Sequence, residues 1–312
     1  MRTLGGTTFR DCLVVANPAA GSIQDDTASR VATAVARSGA LEGPLRLVRT
    51  EGPGHAAALA AGDPAELVVA IGGDGTVSEV TQVLAGTDRT LCALPAGSGN
   101  STARALWGDR SCDEVTDLLR HGRTRTWRID LLRLAELDAV SVLGTSTGFL
   151  AQVLADAAAY DGVLSGIDRY YAAAAGLLSD MPDSPTRVSV DGAVLSDGPT
   201  SSVAIGGGRH RARAFEFLPR SVLDDGLLDV STIEHLTGEA TERVAATIPT
   251  GDHLDLPGVT YARGREVVVE RTDGHPLVAE HDGTVVDVGP RLTASVMPAA
   301  LTVLTVLDRP RP

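Results

Sequence analysis

The sequence predicts an N-terminal α/β domain with a mostly parallel sheet, followed by a C-terminal domain of antiparallel strands. Its 312 residues exceed the usual size of a single hydrophobic core, which favours two domains. Over residues 12–95, short apolar runs alternate with segments of helical periodicity, a pattern typical of a parallel sheet flanked by helices. Over residues 186–305, short β-rich runs are separated by Asp-Gly turn signals, which indicates antiparallel strands.

The elements of the first domain follow from these runs. In order, the pattern predicts a strand at 12–16, a helix at 26–38, a strand at 45–48, a helix at 55–61, a strand at 67–71, a helix at 77–84 and a strand at 91–94. A helix near 113–121 and a strand at 127–131 complete this part of the chain. We therefore expect the α/β domain to cover residues 1–130.

The second domain is expected to cover residues 131–297. An alanine-rich stretch at 156–178 predicts a helix, and the remainder is β-rich. The predicted turns are Asp191-Gly192, Asp197-Gly198, Asp225-Gly226, Asp273-Gly274 and Asp282-Gly283. The last apolar run, at 300–307, either closes this domain or returns to the first one, and we expect residues 298–312 to complete the first domain.

A glycine-rich loop follows the predicted strand at 67–71. It consists of Gly72, Gly73, Asp74, Gly75 and Thr76, and a helix-patterned segment comes directly after it. Glycines let backbone N–H groups approach phosphate oxygens, and the start of a helix attracts anions. Because a carboxylate would repel phosphate, Asp74 indicates a divalent cation between them and hence metal-assisted phosphoryl transfer. The alternative is a tight turn without a ligand.

Three further loops follow strands in the same way. They begin at Asn17, at Thr50 and at Pro95, and each is rich in glycine or proline. Because the carboxyl ends of parallel strands meet at one edge of a sheet, the four loops should converge on a single site.

Composition limits the partners. With 27 basic and 40 acidic residues, the formal charge is −13, which argues against nucleic acid and against strong docking on anionic lipid. Transient membrane contact stays open. The three cysteines lack metal spacing and are expected to be buried thiols. Because no signal peptide or long apolar segment is evident, we expect a cytoplasmic protein, peripheral at most to a membrane.

The motifs taken together resemble the diacylglycerol kinase catalytic-domain superfamily, which includes bacterial lipid kinases and sphingosine kinases. The matching segments are Asn17-Pro18 with Gly21, residues 50–56, residues 72–80, residues 95–100, residues 146–149, residues 223–230 and Asp282-Gly283. They occur in family order at similar spacing. The segments 146–149 and 223–230 separate this superfamily from NAD kinases, which share the Gly-Gly-Asp-Gly loop.

The resemblance implies an NAD kinase and diacylglycerol kinase-like architecture, with a Rossmann-like sheet, a β-sandwich-like second domain and ATP between them. It also implies a set of binding residues. ATP would be bound by Asn17, Thr50, Gly72, Gly73, Asp74, Gly75, Thr76, Ser78, Gly97, Ser98 and Asn100. Magnesium would be held by Asp74 and Asp130. A second, structural magnesium would be held by Asp225 together with backbone carbonyls near Val222 and Leu227. A homodimer is a further expectation from the resemblance alone.

One departure concerns the catalytic base. Asp282, Gly283 and Thr284 match the family's Asp-Gly-Glu turn except at the last residue, the glutamate usually assigned as base. Threonine cannot accept a proton at neutral pH, so we expect slower catalysis. If Asp282-Gly283 forms a two-residue hairpin, His281 lies opposite Thr284, and either His281 or Asp74 is our candidate substitute base.

The leading hypothesis is an ATP- and Mg²⁺-dependent kinase that phosphorylates a hydroxyl of a lipid or lipid-like acceptor. A second hypothesis replaces the lipid by a soluble hydroxylated metabolite. A third is a nucleotide- or lipid-binding relative that has lost most activity, which Thr284 supports. NAD kinase activity is a more distant fourth.

Overall fold

The computed structural model describes residues 8–21, 26–160, 162–164, 168–178, 180–209 and 215–307. The chain divides into two compact units. Unit 1 comprises Met1–Ile129 and Ala299–Pro312, and unit 2 comprises Asp130–Pro298.

Strands and helices alternate in the first third of the chain, and strands predominate after it. The strands are β1 (Cys12–Ala16), β2 (Leu45–Arg49), β3 (Leu67–Gly72), β4 (Thr90–Pro95), β5 (Thr124–Leu134), β6 (Ala139–Ser141), β7 (Gly144–Gly148), β8 (Ser184–Val190), β9 (Ala193–Gly206), β10 (Leu228–Glu234), β11 (Val259–Gly264), β12 (Glu266–Arg271), β13 (Leu277–His281), β14 (Thr284–Val288) and β15 (Arg291–Val306). The α-helices are α1 (Thr27–Arg37), α2 (His55–Gly62), α3 (Asp74–Leu84), α4 (Ser101–Trp107), α5 (Cys112–Arg120), α6 (Phe149–Ala157), α7 (Asp168–Leu177) and α8 (Glu239–Thr247).

Unit 1 contains a parallel sheet in the order β2, β1, β3, β4 and the C-terminal part of β15. Strands β1 and β3 are buried along their whole length, which explains why they are continuous apolar runs without alternation. The predicted parallel α/β sheet is confirmed. Helix α1 packs against α5, and α2 packs against α3.

Two helices of unit 1 differ from the sequence-based expectation. Helix α3 begins at Asp74, three residues earlier than predicted, so the glycine-rich loop forms the first turn of the helix. Helix α4 was not predicted, because a seven-residue helix inside a glycine-rich segment shows too little periodicity. Helix α5 begins with a capping box between Ser111 and Glu114.

Strand β15 resolves the alternative left open for the last apolar run. Residues 291–295 pair antiparallel with β12, whereas Thr302 and Val303 pair parallel with β4. The strand therefore belongs to both units. Between these two segments, Ala299 adopts a positive φ of 49°, a conformation that is unfavourable for a residue with a Cβ.

Unit 2 contains an antiparallel sheet in the order β14, β13, β7, β9, β8, β12 and the N-terminal part of β15. Strand β10 pairs with β9 and β11. The predicted antiparallel domain is confirmed. Its main core is formed by valine, leucine, isoleucine and alanine side chains from these strands. Two smaller apolar clusters lie around α6, α7 and α8.

Three details of unit 2 differ from the predictions. The predicted turn at Asp197-Gly198 lies inside β9, where the pairing with β8 continues through both residues. The stretch at 156–178 was predicted as one helix, whereas its described residues contain the last two residues of α6, a 3₁₀ turn at Ala158–Tyr160 and helix α7. Helix α8 was missed because its polar sequence carries only a weak apolar stripe. In the described part of the chain, no helix is long and apolar enough to span a bilayer.

Candidate functional site

The four glycine- or proline-rich loops of unit 1 are joined by hydrogen bonds at one edge of the parallel sheet. The backbone N–H of Asn17 donates to Ile71 O (2.9 Å), that of Thr50 to Ala16 O (2.9 Å) and that of Ala96 to Gly72 O (3.1 Å). These bonds continue the parallel pairing past the strand ends. The loops that the sequence predicted to converge therefore do so within unit 1.

Side chains reinforce this junction. Asn17 Nδ2 donates to Thr76 Oγ1 (3.1 Å), which links the first loop to the start of α3. Glu79, one turn further along α3, accepts hydrogen bonds from the backbone N–H groups of Gly54 (2.8 Å) and Ala56 (3.0 Å). Glu79 belonged to the matching motif without an assigned role, and the structure shows that it holds the second loop against α3.

Asp74 is the first residue of α3, and its carboxylate contacts the start of α4. Asp74 Oδ2 accepts from the backbone N–H of Ser101 (3.0 Å), and Oδ1 accepts from that of Thr102 (2.9 Å). The carboxylate thus satisfies two N–H groups of the first turn of α4, groups that have no acceptor within a helix. These two bonds determine where the carboxylate points.

The loop that precedes α4 is shaped by Asn100. Its Oδ1 accepts from Gly97 N (2.8 Å), its Nδ2 donates to Gly97 O (2.6 Å), and its own φ is +56°. The Asn100 side chain is therefore used within the loop. Ser98, in the same loop, is exposed, whereas Thr50, Thr76 and Ser78 in the other loops and in α3 are buried. Of the hydroxyls predicted to bind ATP, Ser98 is the one that reaches the surface of unit 1.

In unit 2, the turn at Asp282-Gly283 has the predicted geometry. His281 pairs directly with Thr284, and Asp282 and Gly283 have φ values of 43° and 85°, as expected for a two-residue hairpin. The predicted position of His281 opposite Thr284 is confirmed. Thr284 is exposed, and His281 is half-buried. Among the described residues, the buried His281 Nδ1 has no hydrogen-bond partner.

Asp282 is buried, and both of its oxygens accept hydrogen bonds. Ser141 Oγ (2.6 Å) and Leu143 N (3.0 Å) donate to Oδ1, and Val142 N (2.9 Å) donates to Oδ2. The carboxylate thereby fastens the segment between β6 and β7 to the hairpin. These contacts favour a positioning role for Asp282, while its predicted catalytic role stays a prediction.

Glu280 is a second carboxylate at this hairpin and was not among the predicted site residues. Its side chain is 2 % exposed and accepts hydrogen bonds from Ser146 Oγ (2.6 Å) and Gly283 N (3.1 Å). Its partner Ser146 lies in the matching segment at 146–149, and the two residues are directly opposite in β13 and β7. The pairing of strands distant in sequence reveals this contact, which no local pattern could indicate.

The two remaining predicted metal ligands lie close together in unit 2. Asp130 Oδ2 accepts from Gly226 N (2.7 Å), and its backbone N–H donates to Leu223 O (2.6 Å). Asp225 Oδ1 accepts from Leu227 N (3.1 Å), and Oδ2 forms an ion pair with Arg263. The turn that carries Asp225 is therefore attached to Asp130. In the part of the chain that the structure describes, no group of three or more His, Cys, Asp or Glu side chains could hold a metal by itself.

Comparison with known proteins agrees with these observations. The model of the diacylglycerol kinase catalytic domain matches residues 11–133, and that of the YegS C-terminal NAD kinase beta sandwich-like domain matches residues 144–305. A diacylglycerol kinase from Mycobacterium tuberculosis is 33 % identical over 269 residues, which covers 82 % of this chain and 80 % of the relative.

Solved structures support the fold. The crystal structure of a diacylglycerol kinase from Bacillus anthracis has a TM-score of 0.70 at 19 % identity and covers 95 % of this chain and 97 % of its own. An NAD kinase from Archaeoglobus fulgidus, solved in complex with ATP, has a TM-score of 0.53 at 12 % identity and covers 97 % and 95 %, which shows a shared fold alone. Matches to both family models and to the mycobacterial relative establish that the chain belongs to the diacylglycerol kinase family.

Proposed function

We propose that this family member transfers the γ-phosphoryl group of ATP, with Mg²⁺, to a hydroxyl group of a lipid acceptor. The observation that carries the proposal is the Asp74 carboxylate, oriented by Ser101 N and Thr102 N within a junction of four glycine- or proline-rich loops. Phosphoryl transfer depends on positioning and on neutralising charge, and such a junction supplies backbone donors beside a fixed carboxylate.

Magnesium fits the donors at this place. Asp74 offers hard carboxylate oxygens that are already oriented by two backbone N–H groups. Oxygen ligands of this kind are preferred by Mg²⁺, which also keeps several waters and binds substrate phosphates. When bound, the ion would neutralise charge on the transferring phosphoryl group. The role of the chain is to hold its carboxylates at defined positions before the nucleotide arrives.

A lipid acceptor is supported by an apolar cavity within unit 2. Its walls are almost entirely aliphatic or aromatic, with Thr241 contributing the single hydroxyl. The lining residues are Phe149, Leu178, Met181, Ile233, Leu236, Thr241, Val244, Ala245 and Ile248. The Thr241 hydroxyl is buried without a hydrogen-bond partner among the described residues. The cavity has a volume of about 20 Å³, close to that of one water molecule, so a hydrocarbon chain would have to widen it. Its apolar walls suit contact with such a chain.

A soluble hydroxylated acceptor is the second candidate, and a different pocket favours it. This pocket of unit 2 is lined mainly by hydroxyl and amide side chains, among them Thr147, Gln152, Ser201 and Ser202. Ser201 Oγ is buried and has no hydrogen-bond partner in the described part of the chain. Such a lining suits a small polar molecule.

The first experiment tests the transfer reaction. ATP labelled at the γ-phosphate is incubated with Mg²⁺ and with diacylglycerol, other lipid extracts or soluble polyols, for the wild type and for Asp74→Ala. We expect Asp74→Ala to lower transfer at least about 100-fold, the scale observed when one group that stabilises the transition state is removed. Asp88→Ala removes an exposed carboxylate of unit 1 and should leave transfer unchanged. Equal transfer by Asp74→Ala and the wild type would contradict the proposal.

The second experiment tests the acceptor. Ala245 lines the apolar cavity, whereas the next residue of α8, Ala246, is exposed. The tryptophan side chain is larger than the cavity, whose volume is about 20 Å³, so Ala245→Trp should block it. We expect this variant to phosphorylate long-chain lipids at least about tenfold more slowly, with little change in the KM for ATP, and a thermal-unfolding midpoint near that of the wild type shows that it folds. Ala246→Trp is the matched control. If Ala245→Trp phosphorylated long-chain lipids like the wild type, the cavity would not be the lipid site.

A further inference from the structure

Arg263 connects two carboxylates of unit 2. It lies on β11 directly opposite Asp229 on β10. Its Nη2 forms an ion pair with Asp225 Oδ2, and its Nε lies 3.4 Å from Asp229 Oδ1. The arginine side chain is 35 % exposed, that of Asp225 is 27 % exposed, and that of Asp229 is fully buried. The single guanidinium group of Arg263 therefore contacts both acidic side chains.

Asp229 depends on this cation more than Asp225 does. Its side chain is fully buried, its Oδ1 accepts a hydrogen bond from the Tyr261 hydroxyl, and its Oδ2 has no partner among the described residues. A buried carboxylate is unfavourable unless positive charge or hydrogen bonds compensate the lost hydration. Arg263 is the positive group that the structure places against it.

The same turn is where the family resemblance implies a second, structural magnesium ion. The side chains present do not fit it. Asp225 Oδ2 is paired with the Arg263 guanidinium, whose positive charge would repel a divalent cation held at the same carboxylate.

We propose that the Arg263 guanidinium acts as a built-in cation at the Asp225–Asp229 turn, in place of a structural metal ion, so that unit 2 folds without divalent ions. The consequence extends to the predicted catalytic metal site. The turn held by Arg263 also donates Gly226 N–H to Asp130 and accepts from the backbone N–H of Asp130. Arg263 is thus a positioning residue for Asp130, because the turn it holds is hydrogen-bonded to that aspartate.

The test is the midpoint of thermal unfolding of the full-length, nucleotide-free protein, measured in excess EDTA and in millimolar MgCl₂. We expect the wild-type midpoint to change by less than about 1 °C between the two. Arg263→Ala should lower the midpoint in EDTA by about 4 °C or more. Mg²⁺ or Ca²⁺ should restore part of the loss, because the carboxylates of Asp225 and Asp229 then lack their cation and can interact with the ion. Adding Asp225→Asn to Arg263→Ala should abolish that recovery.

Controls make each outcome decisive. Arg265→Ala removes an exposed arginine two residues away and should change neither the midpoint nor its metal dependence. Arg263→Lys keeps one positive charge but lacks the planar group that reaches both carboxylates, so it should fold with a smaller loss and little metal response. Two results would overturn the proposal. One is a wild-type midpoint that falls by several degrees in EDTA while Asp225→Asn is insensitive. The other is a normal, metal-insensitive midpoint for Arg263→Ala.

Discussion

Gly73 and Gly97 are in direct backbone contact in unit 1, where the loop after β3 meets the loop after β4. A Cβ on Gly97 would overlap Gly73 Cα, whereas a Cβ on Gly73 would lie 3.3 Å from Gly97 Cα. A methyl side chain is therefore tolerated better at position 73 than at position 97. This contact explains why position 97 requires glycine in addition to any need for phosphate to approach the backbone.

This asymmetry predicts different effects for two similar substitutions. Gly97→Ala should separate the two loops, destabilise the protein by about 1–3 kcal/mol and strongly weaken ATP binding. Gly73→Ala should be milder on both measures, because a shift of a few tenths of an ångström accommodates its Cβ. Thermal unfolding and nucleotide titration calorimetry provide the measurements. Equal tolerance of the two substitutions would contradict the observed packing.

Replacing Thr284 by glutamate should raise the rate of phosphoryl transfer. Because His281 and Thr284 are paired across a regular two-residue hairpin, the backbone at position 284 can present a longer side chain without rearrangement. Thr284→Glu would supply the missing base, and we expect it to raise the rate of transfer by roughly 100-fold, the lower end of the range attributed to general bases. Thr284→Gln has nearly the same shape without the basic carboxylate and should give no increase. An equal increase with both variants would argue against a missing base.

His281 is the candidate that compensates for Thr284. Its Nδ1 has no hydrogen-bond partner in the described part of the chain, so the ring is not committed to a structural contact through that atom. We expect His281→Ala to lower kcat at least about tenfold and to change the pH profile of the rate, with the KM for ATP unaffected. His281→Gln tests shape without basicity and should be similarly impaired. An unchanged rate and pH profile in His281→Ala would remove His281 as the base.

Substitution of Asp282 should lower the free energy of unfolding. Three donors, Ser141 Oγ, Val142 N and Leu143 N, converge on its carboxylate, and the residue is buried. Asp282→Ala leaves two buried backbone N–H groups without an acceptor and should cost about 2–4 kcal/mol in the free energy of unfolding. Ser141→Ala removes a single donor and should cost about 1 kcal/mol. Urea denaturation measures both, and an unchanged midpoint for Asp282→Ala would show that the segment is held by other contacts.

The cysteines predict a pH-dependent labelling pattern. Burial raises the pKa of the Cys12 thiol to about 12 and that of Cys92 well above its usual range, and burial also raises the pKa of Cys112. Since the thiolate is the reactive form, a raised pKa keeps these thiols neutral at pH 7 to 9. We expect slow reaction with Ellman's reagent at both pH values in the native protein, and three reactive thiols in denaturant. Rapid labelling of two or more thiols in the native protein would contradict the burial of Cys12 and Cys92.

The elements with strong local patterns were predicted well from the sequence. Strands β1 and β3 are uninterrupted apolar runs because both faces are buried, and the hairpin at Asp282-Gly283 follows from residues that tolerate positive φ. The start of α3 was misplaced by three residues, because Gly73, Asp74 and Gly75 have low helix propensity and only the surrounding fold makes Asp74 helical. Helix α4 was missed for a similar reason.

The hydrogen-bond and ion-pair partners of these side chains could not be predicted from local sequence patterns. Asp74 was recognised from its loop, but its two hydrogen bonds to the start of α4 depend on the packing of two helices. Asp225 was assigned to a metal from family resemblance, whereas the register of β10 and β11 places Arg263 against it and Asp229. Sequence patterns report periodicity and turn chemistry, which act over a few residues. Contacts between residues tens of positions apart depend on strand register and helix packing, which minimise buried, unpaired polar groups across the whole unit.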